Sequence, residues 1–186
     1  MMLSWATTKV IGEYVMEDSL KKRCISLFVE NEIGVLAYIS GLFSGKGYNL
    51  DSLTVGTTLD PTISRMTITL TSDDMTFEQI KKQLNRSVPV IRVVDFAGAD
   101  IFTKELMYVK VMGCTDEEMK KIAKIADRYG ATIIDCISDS MLMECVEMEK
   151  DNDALLEKLK KYFNGRMEIV RGGSVAIEAL AASKEK

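Results

Sequence analysis

The segment RCISLFVE, at residues 23–30, decides the fold. It predicts one buried strand, and the order of the later strands and helices is read from it. Ile25, Leu27 and Val29 occupy every second position, and this period of two is typical of a strand with one face in a core. The loop ENEIG, at residues 30–34, follows directly and leads into a segment with a different period. We therefore predict a β-strand that connects through a short loop to a helix.

The next segment, GVLAYISGLFSGKG at residues 34–47, has the period of a helix. It places Leu36, Ile39 and Phe43 on one stripe and stops in two glycines, which are typical helix-end residues. The pattern of strand and helix then continues along the chain. Strand patterns occupy residues 48–58, 63–72 and 88–96, and an amphipathic helix pattern occupies residues 76–87. The predicted order is βαββαβ, which is the ferredoxin-like unit.

The second half of the chain repeats this order. Strand patterns occupy residues 105–113, 131–138, 141–148 and 166–177, and helix patterns occupy residues 117–130 and 154–163. Thr115 and Glu118 have the spacing of a capping box at the start of a helix. We predict an α+β protein with two tandem ferredoxin-like βαββαβ domains. Their predicted limits are residues 22–98 and 99–180, with a poorly ordered N-terminal extension at residues 1–21 and a tail at residues 181–186.

The composition excludes several classes of function. The chain of 186 residues has no histidine, which rules out Ser-His-Asp triads, Cys-His pairs and histidine-ligated metal sites. With 24 basic and 28 acidic residues, its formal charge of −4 is opposite to that of a nucleic-acid binder. Four widely separated cysteines favour reduced thiols. No segment has the roughly 20 apolar residues of a membrane span. We expect a cytoplasmic protein that binds neither nucleic acid nor membrane.

The candidate site is the turn between the first strand and the first helix. Gly34 at a helix start lets backbone N–H groups approach a ligand closely, and the helix dipole favours a carboxylate there. The Asn31 amide offers an oxygen to an ammonium group and an NH2 to a carboxylate. Together these groups would suit an amino acid. Taken alone, however, the residue types favour a simpler interpretation, in which Asn31 caps the helix and Gly34 forms a tight turn.

Longer motifs carry a family resemblance. They are N-E-x-G-V-L at residues 31–36, G-Y-N-L-D-S-L-T-V at residues 47–55 and D-P-T-x-S-R-M-T at residues 60–67. With related sequence over residues 22–178, the chain resembles the regulatory (small) subunit of acetolactate synthase, also called acetohydroxyacid synthase. The resemblance implies that the first domain is an ACT domain, a ferredoxin-like module that senses amino acids, and that the second is the C-terminal domain of this family.

The resemblance also implies a non-catalytic chain that carries no cofactor of its own. Such subunits activate a separate catalytic subunit, which uses thiamine diphosphate, magnesium and FAD to condense pyruvate with another 2-oxo acid in branched-chain amino-acid biosynthesis. They confer feedback inhibition by valine, sometimes by other branched-chain amino acids. The implied partners are the catalytic (large) subunit and a second copy of the chain, joined through the ACT domains. Domains of about 75 residues often complete their burial by association. The alternative is an ACT-type sensor that regulates a different enzyme.

Matching motif positions implies five ligand-binding residues at the interface between two ACT domains. Asn31, Gly34, Val35 and Leu36 of one subunit would hold the carboxylate and ammonium groups of valine, and Asn49 of the neighbouring subunit would complete the polar contacts. With the family in view, a ligand role for Asn31 is favoured, and a helix N-terminus can use one side chain both to cap and to bind. No catalytic and no metal-binding residue is expected.

Overall fold

Residues 20–180, which a computed structural model describes, form the βαββαβ order twice, and the predicted fold class is confirmed. The first repeat contains β1 (Lys21–Glu30), α1 (Val35–Ser44), β2 (Ser52–Thr57), β3 (Ile63–Ser72), α2 (Asp74–Asn85) and β4 (Val90–Asp95). The second contains β5 (Ile101–Val111), α3 (Asp116–Arg128), β6 (Thr132–Ile137), β7 (Ser140–Glu147), α4 (Glu149–Phe163) and β8 (Met167–Glu178). The predicted tail, and residues 1–19 of the predicted extension, lie outside the described residues.

Each repeat forms one four-stranded antiparallel sheet, with strand orders β2-β3-β1-β4 and β6-β7-β5-β8. In the first repeat, the core face of the sheet packs against both helices, as the strand and helix periods predict. Thr115 and Glu118 form the predicted capping box at the start of α3. The buried residues of the first core are Ile25, Leu27, Val29, Val35, Ile39, Phe43, Met66, Ile68, Leu70, Phe77, Ile80 and Leu84.

The predicted apolar stripe of α1 needs one correction. Ile39 and Phe43 are buried as predicted, but the third buried residue is Val35, at 9% exposure, whereas Leu36 is 47% exposed. Both sets of positions have helical spacing, so the pattern alone did not distinguish two adjacent aliphatic residues. The exposed Leu36 side chain therefore lies at the start of α1 without being part of the core.

The two domains also touch through the ends of their strands. A bulge in the pairing of β5 with β8 lies beside Gly172 and Gly173, and beyond it the ribbon of residues 101–105 and 174–178 extends to the first sheet. Gly173 has a φ of +77°, and a Cβ atom there would lie 3.0 Å from Thr54 Cγ2. The Thr54 hydroxyl donates a hydrogen bond to the Ser174 carbonyl oxygen at 3.1 Å. A glycine is needed at this position because β2 approaches β8 so closely.

Candidate functional site

The β1–α1 loop, residues 31–34, ends in a glycine whose backbone no other residue adopts easily. Gly34 is the N-cap of α1, with φ +91° and ψ −15° in the left-handed region. Apart from its own neighbours along the chain, no atom of residues 20–180 lies within 4 Å of a Cβ atom built on Gly34. The start of α1 therefore has open space beside Gly34.

The first turn of α1 carries unused hydrogen-bond donors. The Val35 N–H donates to the Glu32 carbonyl oxygen at 3.3 Å, and the next intrahelical bond is from the Tyr38 N–H to the Gly34 carbonyl oxygen at 2.8 Å. Within residues 20–180, the N–H groups of Leu36 and Ala37 have no acceptor, no side chain caps the helix and its first turn has no acidic residue. Two aligned donors at the positive end of a helix form a favourable position for a carboxylate.

Asn31 ties the β1–α1 loop to the turn between β2 and β3. Its Nδ2 donates to the Pro61 carbonyl oxygen at 2.8 Å, and its Oδ1 accepts from the Ser64 hydroxyl at 2.9 Å. Its backbone N–H donates to the Thr62 carbonyl oxygen at 2.7 Å. The interpretation that Asn31 caps the helix is therefore wrong. Its side chain bonds to β3 and to the turn between β2 and β3, and not to α1. An amide has two N–H groups and two lone pairs, so one of each stays available to a ligand.

The turn that receives Asn31 is itself well ordered by hydrogen bonds. The Asp60 carboxylate accepts from the Thr62 hydroxyl at 2.6 Å and from the Thr62 backbone N–H at 2.9 Å. These two hydrogen bonds lower the pKa of Asp60. The turn therefore keeps the Pro61 and Thr62 carbonyl oxygens in place for Asn31.

The five residues implied by the family motifs divide into two places. Asn31, Gly34, Val35 and Leu36 share one end of α1, although the Val35 side chain points into the core. Asn49 follows the other end of the helix and is exposed. Ten helical residues span about 15 Å, so one subunit does not bring Asn49 to the β1–α1 loop.

Three further participants were not assigned from the sequence: Ala37, which supplies a free N–H, Pro61, which receives Asn31, and Ser64, which donates to it. Ser64 and Pro61 fall within the motif at residues 60–67, but nothing in the spacing shows that this motif pairs with the β1–α1 loop. The register of β1 with β3, in which Val29 lies opposite Ser64, brings them together.

Two other findings bear on the chemistry that is available. Between residues 20 and 180, no three histidine, cysteine or carboxylate side chains are grouped so that they could hold a metal ion. Among the helices of this same part of the chain, none has the length and apolar character to cross a membrane.

Comparisons with known proteins identify the family. Residues 25–92 match the model of the AHAS small subunit-like ACT domain, and residues 104–180 match that of the small subunit of acetolactate synthase. The acetolactate synthase small subunit of Aquifex aeolicus is 33% identical over 172 residues, which cover 92% of this chain and 88% of that one. The acetolactate synthase isozyme 3 small subunit of Salmonella typhimurium is 37% identical over 158 residues, or 84% and 94% of the two chains.

A solved structure agrees with these sequence relatives. The acetolactate synthase small subunit from Thermotoga maritima superposes with a TM-score of 0.75 at 28% identity, covering 86% of this chain and 98% of that one. Both domains are thus matched in sequence and in fold. The chain belongs to the family of acetolactate synthase small, regulatory subunits.

Proposed function

We propose that this chain activates the catalytic subunit of acetolactate synthase and makes it sensitive to feedback inhibition by valine. Membership of the small-subunit family supports the partner enzyme. The observation that carries the effector assignment is the open start of α1, where the N–H groups of Leu36 and Ala37 have no acceptor among the described residues and Asn31 lies alongside.

The groups at this loop match the two charged groups of an amino acid. The effector carboxylate accepts hydrogen bonds from the N–H groups of Leu36 and Ala37, and its ammonium group donates to the free lone pair of Asn31 Oδ1. The exposed Leu36 side chain supplies apolar contact for a branched side chain. Such a ligand keeps its charges paired, as their partial burial requires.

The site is completed by a second copy of the chain. Because α1 separates Asn49 from the β1–α1 loop within one subunit, Asn49 reaches the effector only from a neighbouring subunit. The functional unit is then a homodimer formed through the first domains, with valine between them. Valine inhibits because it binds more tightly to the form of the dimer that no longer supports catalysis.

Catalysis belongs to the other subunit. Thiamine diphosphate, Mg²⁺ and FAD are held by the catalytic subunit, and this chain holds no cofactor. The complex acts in the cytoplasm, where branched-chain amino acids are made. The small subunit contributes regulation alone.

Reconstitution tests this function. The full chain is mixed with its cognate catalytic subunit, and acetolactate formation is measured without effector and with valine, leucine or isoleucine. We expect the chain to raise the rate and valine to reverse the increase. Failure to alter the rate of the catalytic subunit would contradict the assignment. If the chain nevertheless bound valine, it would be an ACT-type sensor for a different enzyme.

A further inference from the structure

The face of the first sheet that carries no helix is polar and partly buried. We call this the helix-free face, and three of its residues, Ser26, Thr67 and Thr69, are only 0%, 4% and 5% exposed. The ends of β5 and β8 lie over it, and Ser174 and Ala176 of β8 are buried there. A buried polar contact of this kind specifies one arrangement, because its donors and acceptors pair only when the two domains are correctly placed.

Arg65 of β3 joins the two domains across this contact. Its Nε donates to the Ser26 hydroxyl oxygen at 2.8 Å, and its guanidinium lies 5.4 Å from the centre of the Phe28 ring. Its Nη2 donates to the Ala176 carbonyl oxygen of β8 at 2.9 Å. One part of the planar group is thus fixed by the first domain while another binds the second, which the compact ammonium of lysine would not reproduce.

The neighbouring residue, Ser64, is bound to the proposed effector loop. Its hydroxyl donates to Asn31 Oδ1 at 2.9 Å. Successive strand residues point to opposite faces, so Ser64 faces the loop while Arg65 faces the second domain. One step along β3 therefore separates a contact with the effector loop from a contact with β8.

We propose that Arg65 couples effector binding at the β1–α1 loop to the position of the second domain. The proposal rests on the function proposed above. An effector that binds Asn31 acts on the hydrogen bond from Ser64, and a shift of β3 at this point changes the fit of Arg65 to Ser26 and Ala176. Coupling of this type requires that the effector bind two interdomain arrangements with different affinities and that the Arg65 contact differ between them, and it is reciprocal. Arg65 is a positioning residue and does not touch the effector.

The test separates binding of valine from its consequence. Arg65→Met retains a long side chain but removes every donor, and Arg65→Lys keeps the charge without the planar group. Thr54→Val is the matched control, because it removes a second side-chain hydrogen bond to β8, together with a long 3.5 Å bond to the Thr67 carbonyl oxygen of β3, and leaves Arg65 and Ser64 in place. Calorimetry on each full-length variant measures valine affinity. Acetolactate formation by the complex with the catalytic subunit, at saturating valine, measures residual activity, and thermal unfolding shows that all variants are folded.

We expect Arg65→Met to bind valine within about threefold of the wild-type affinity. Its residual activity at saturating valine should rise to about twice the wild-type value or more. The residual activity of Arg65→Lys should lie between those of the wild type and Arg65→Met. Thr54→Val should match the wild type in both valine affinity and residual activity. The same residual activity in Arg65→Met and wild type would overturn the proposal. So would an equal effect of Thr54→Val, which would indicate general loosening of the interface, or a loss of valine affinity of about tenfold or more in Arg65→Met. A wild-type chain that bound no branched-chain amino acid would instead remove the proposed function, and this proposal with it.

Discussion

The two repeats share a fold but differ at the start of their first helices. In α1 the N-cap is Gly34, and no side chain of the described residues bonds to the free N–H groups. In α3 the Thr115 hydroxyl accepts from the Glu118 N–H at 3.3 Å, and the Glu118 carboxylate accepts from the Thr115 N–H at 2.9 Å. Arg166 adds a hydrogen bond to the same carboxylate at 2.7 Å.

The N–H groups at the start of the first helix are thus satisfied differently in the two repeats. The second repeat supplies its own carboxylate, and hydrogen bonds from Arg166 and from the Thr115 N–H lower the pKa of Glu118 to about 2. The first repeat has no such group in its helical first turn and leaves its donors to solvent or to a ligand. An effector carboxylate bound to the Leu36 and Ala37 N–H groups would thus take the place that the Thr115 hydroxyl has at the N3 N–H of α3.

The largest effect is expected from giving α1 the carboxylate of α3. Ala37 is exposed and stands at N3 of α1, as Glu118 does in α3. In Ala37→Glu the new side chain competes with the effector for the helix N-terminus and repels its carboxylate, so valine affinity should fall at least about 30-fold, or ~2 kcal/mol. Calorimetry measures the affinity. Ala37→Gln is the uncharged control and should lose only a few-fold; unchanged binding in Ala37→Glu would show that valine binds elsewhere.

A smaller loss is expected when the side chain beside the helix is removed. Asn31→Ala deletes the proposed contact with the effector ammonium, and valine affinity should fall about tenfold. Ser64→Ala is the control, because it removes only the hydrogen bond that positions Asn31, and its affinity should change less than about threefold. Titration calorimetry compares the two variants. Equal losses would indicate that the tether to β3, rather than contact with the effector, is what matters.

Removing the cap of α3 should affect stability and leave binding unchanged. Thr115→Ala eliminates one partner of the capping box and should lower the free energy of unfolding by about 1 kcal/mol, as measured by urea denaturation. Valine affinity should match the wild type, because this helix start lies in the other domain. A parallel loss of affinity would mean that the two helix N-termini are not independent.

The smallest effect concerns the pH dependence of the second repeat. The folded-state pKa of Glu118 lies below its ordinary value of 4.5, so its contribution to stability is complete above that pH and is lost as the pH falls towards about 2. Wild type should therefore exceed Glu118→Gln in stability above about pH 4.5, and the difference should shrink below it. Thermal unfolding from pH 5 to about pH 2 measures this. A constant difference across the range would contradict the role of the ionised carboxylate.

The sequence predicted those features that depend on neighbours along the chain. The alternation of Ile25, Leu27 and Val29 and the spacing of Thr115 and Glu118 reflect local backbone geometry, and the structure contains the strand and the capping box. Family motifs pointed to the β1–α1 loop as a ligand site. Val35 and not Leu36 is the core residue because of the way α1 is rotated about its axis on the sheet. The helical period does not determine this rotation, since both residues have helical spacing from Ile39 and Phe43.

The remaining features depend on tertiary register. The bonds from Asn31 to Pro61 and Ser64 follow from the pairing of β1 with β3, and the contact between Arg65 and Ala176 follows from the length of β8 beyond its bulge. No periodicity encodes which carbonyl oxygen an arginine or asparagine will reach. These contacts join segments that lie 30 to 111 residues apart in the chain.

The most direct test is a valine titration of the full-length, isotope-labelled chain followed through its backbone amide resonances. Hydrogen bonds to the effector carboxylate should shift the amide signals of Leu36 and Ala37 strongly and saturably. The amide signals of Glu117 and Glu118, at the capped start of α3, should stay in place. Equal shifts at both helices, or shifts that leave Leu36 and Ala37 unmoved, would contradict the claim that the open start of α1 is the effector site.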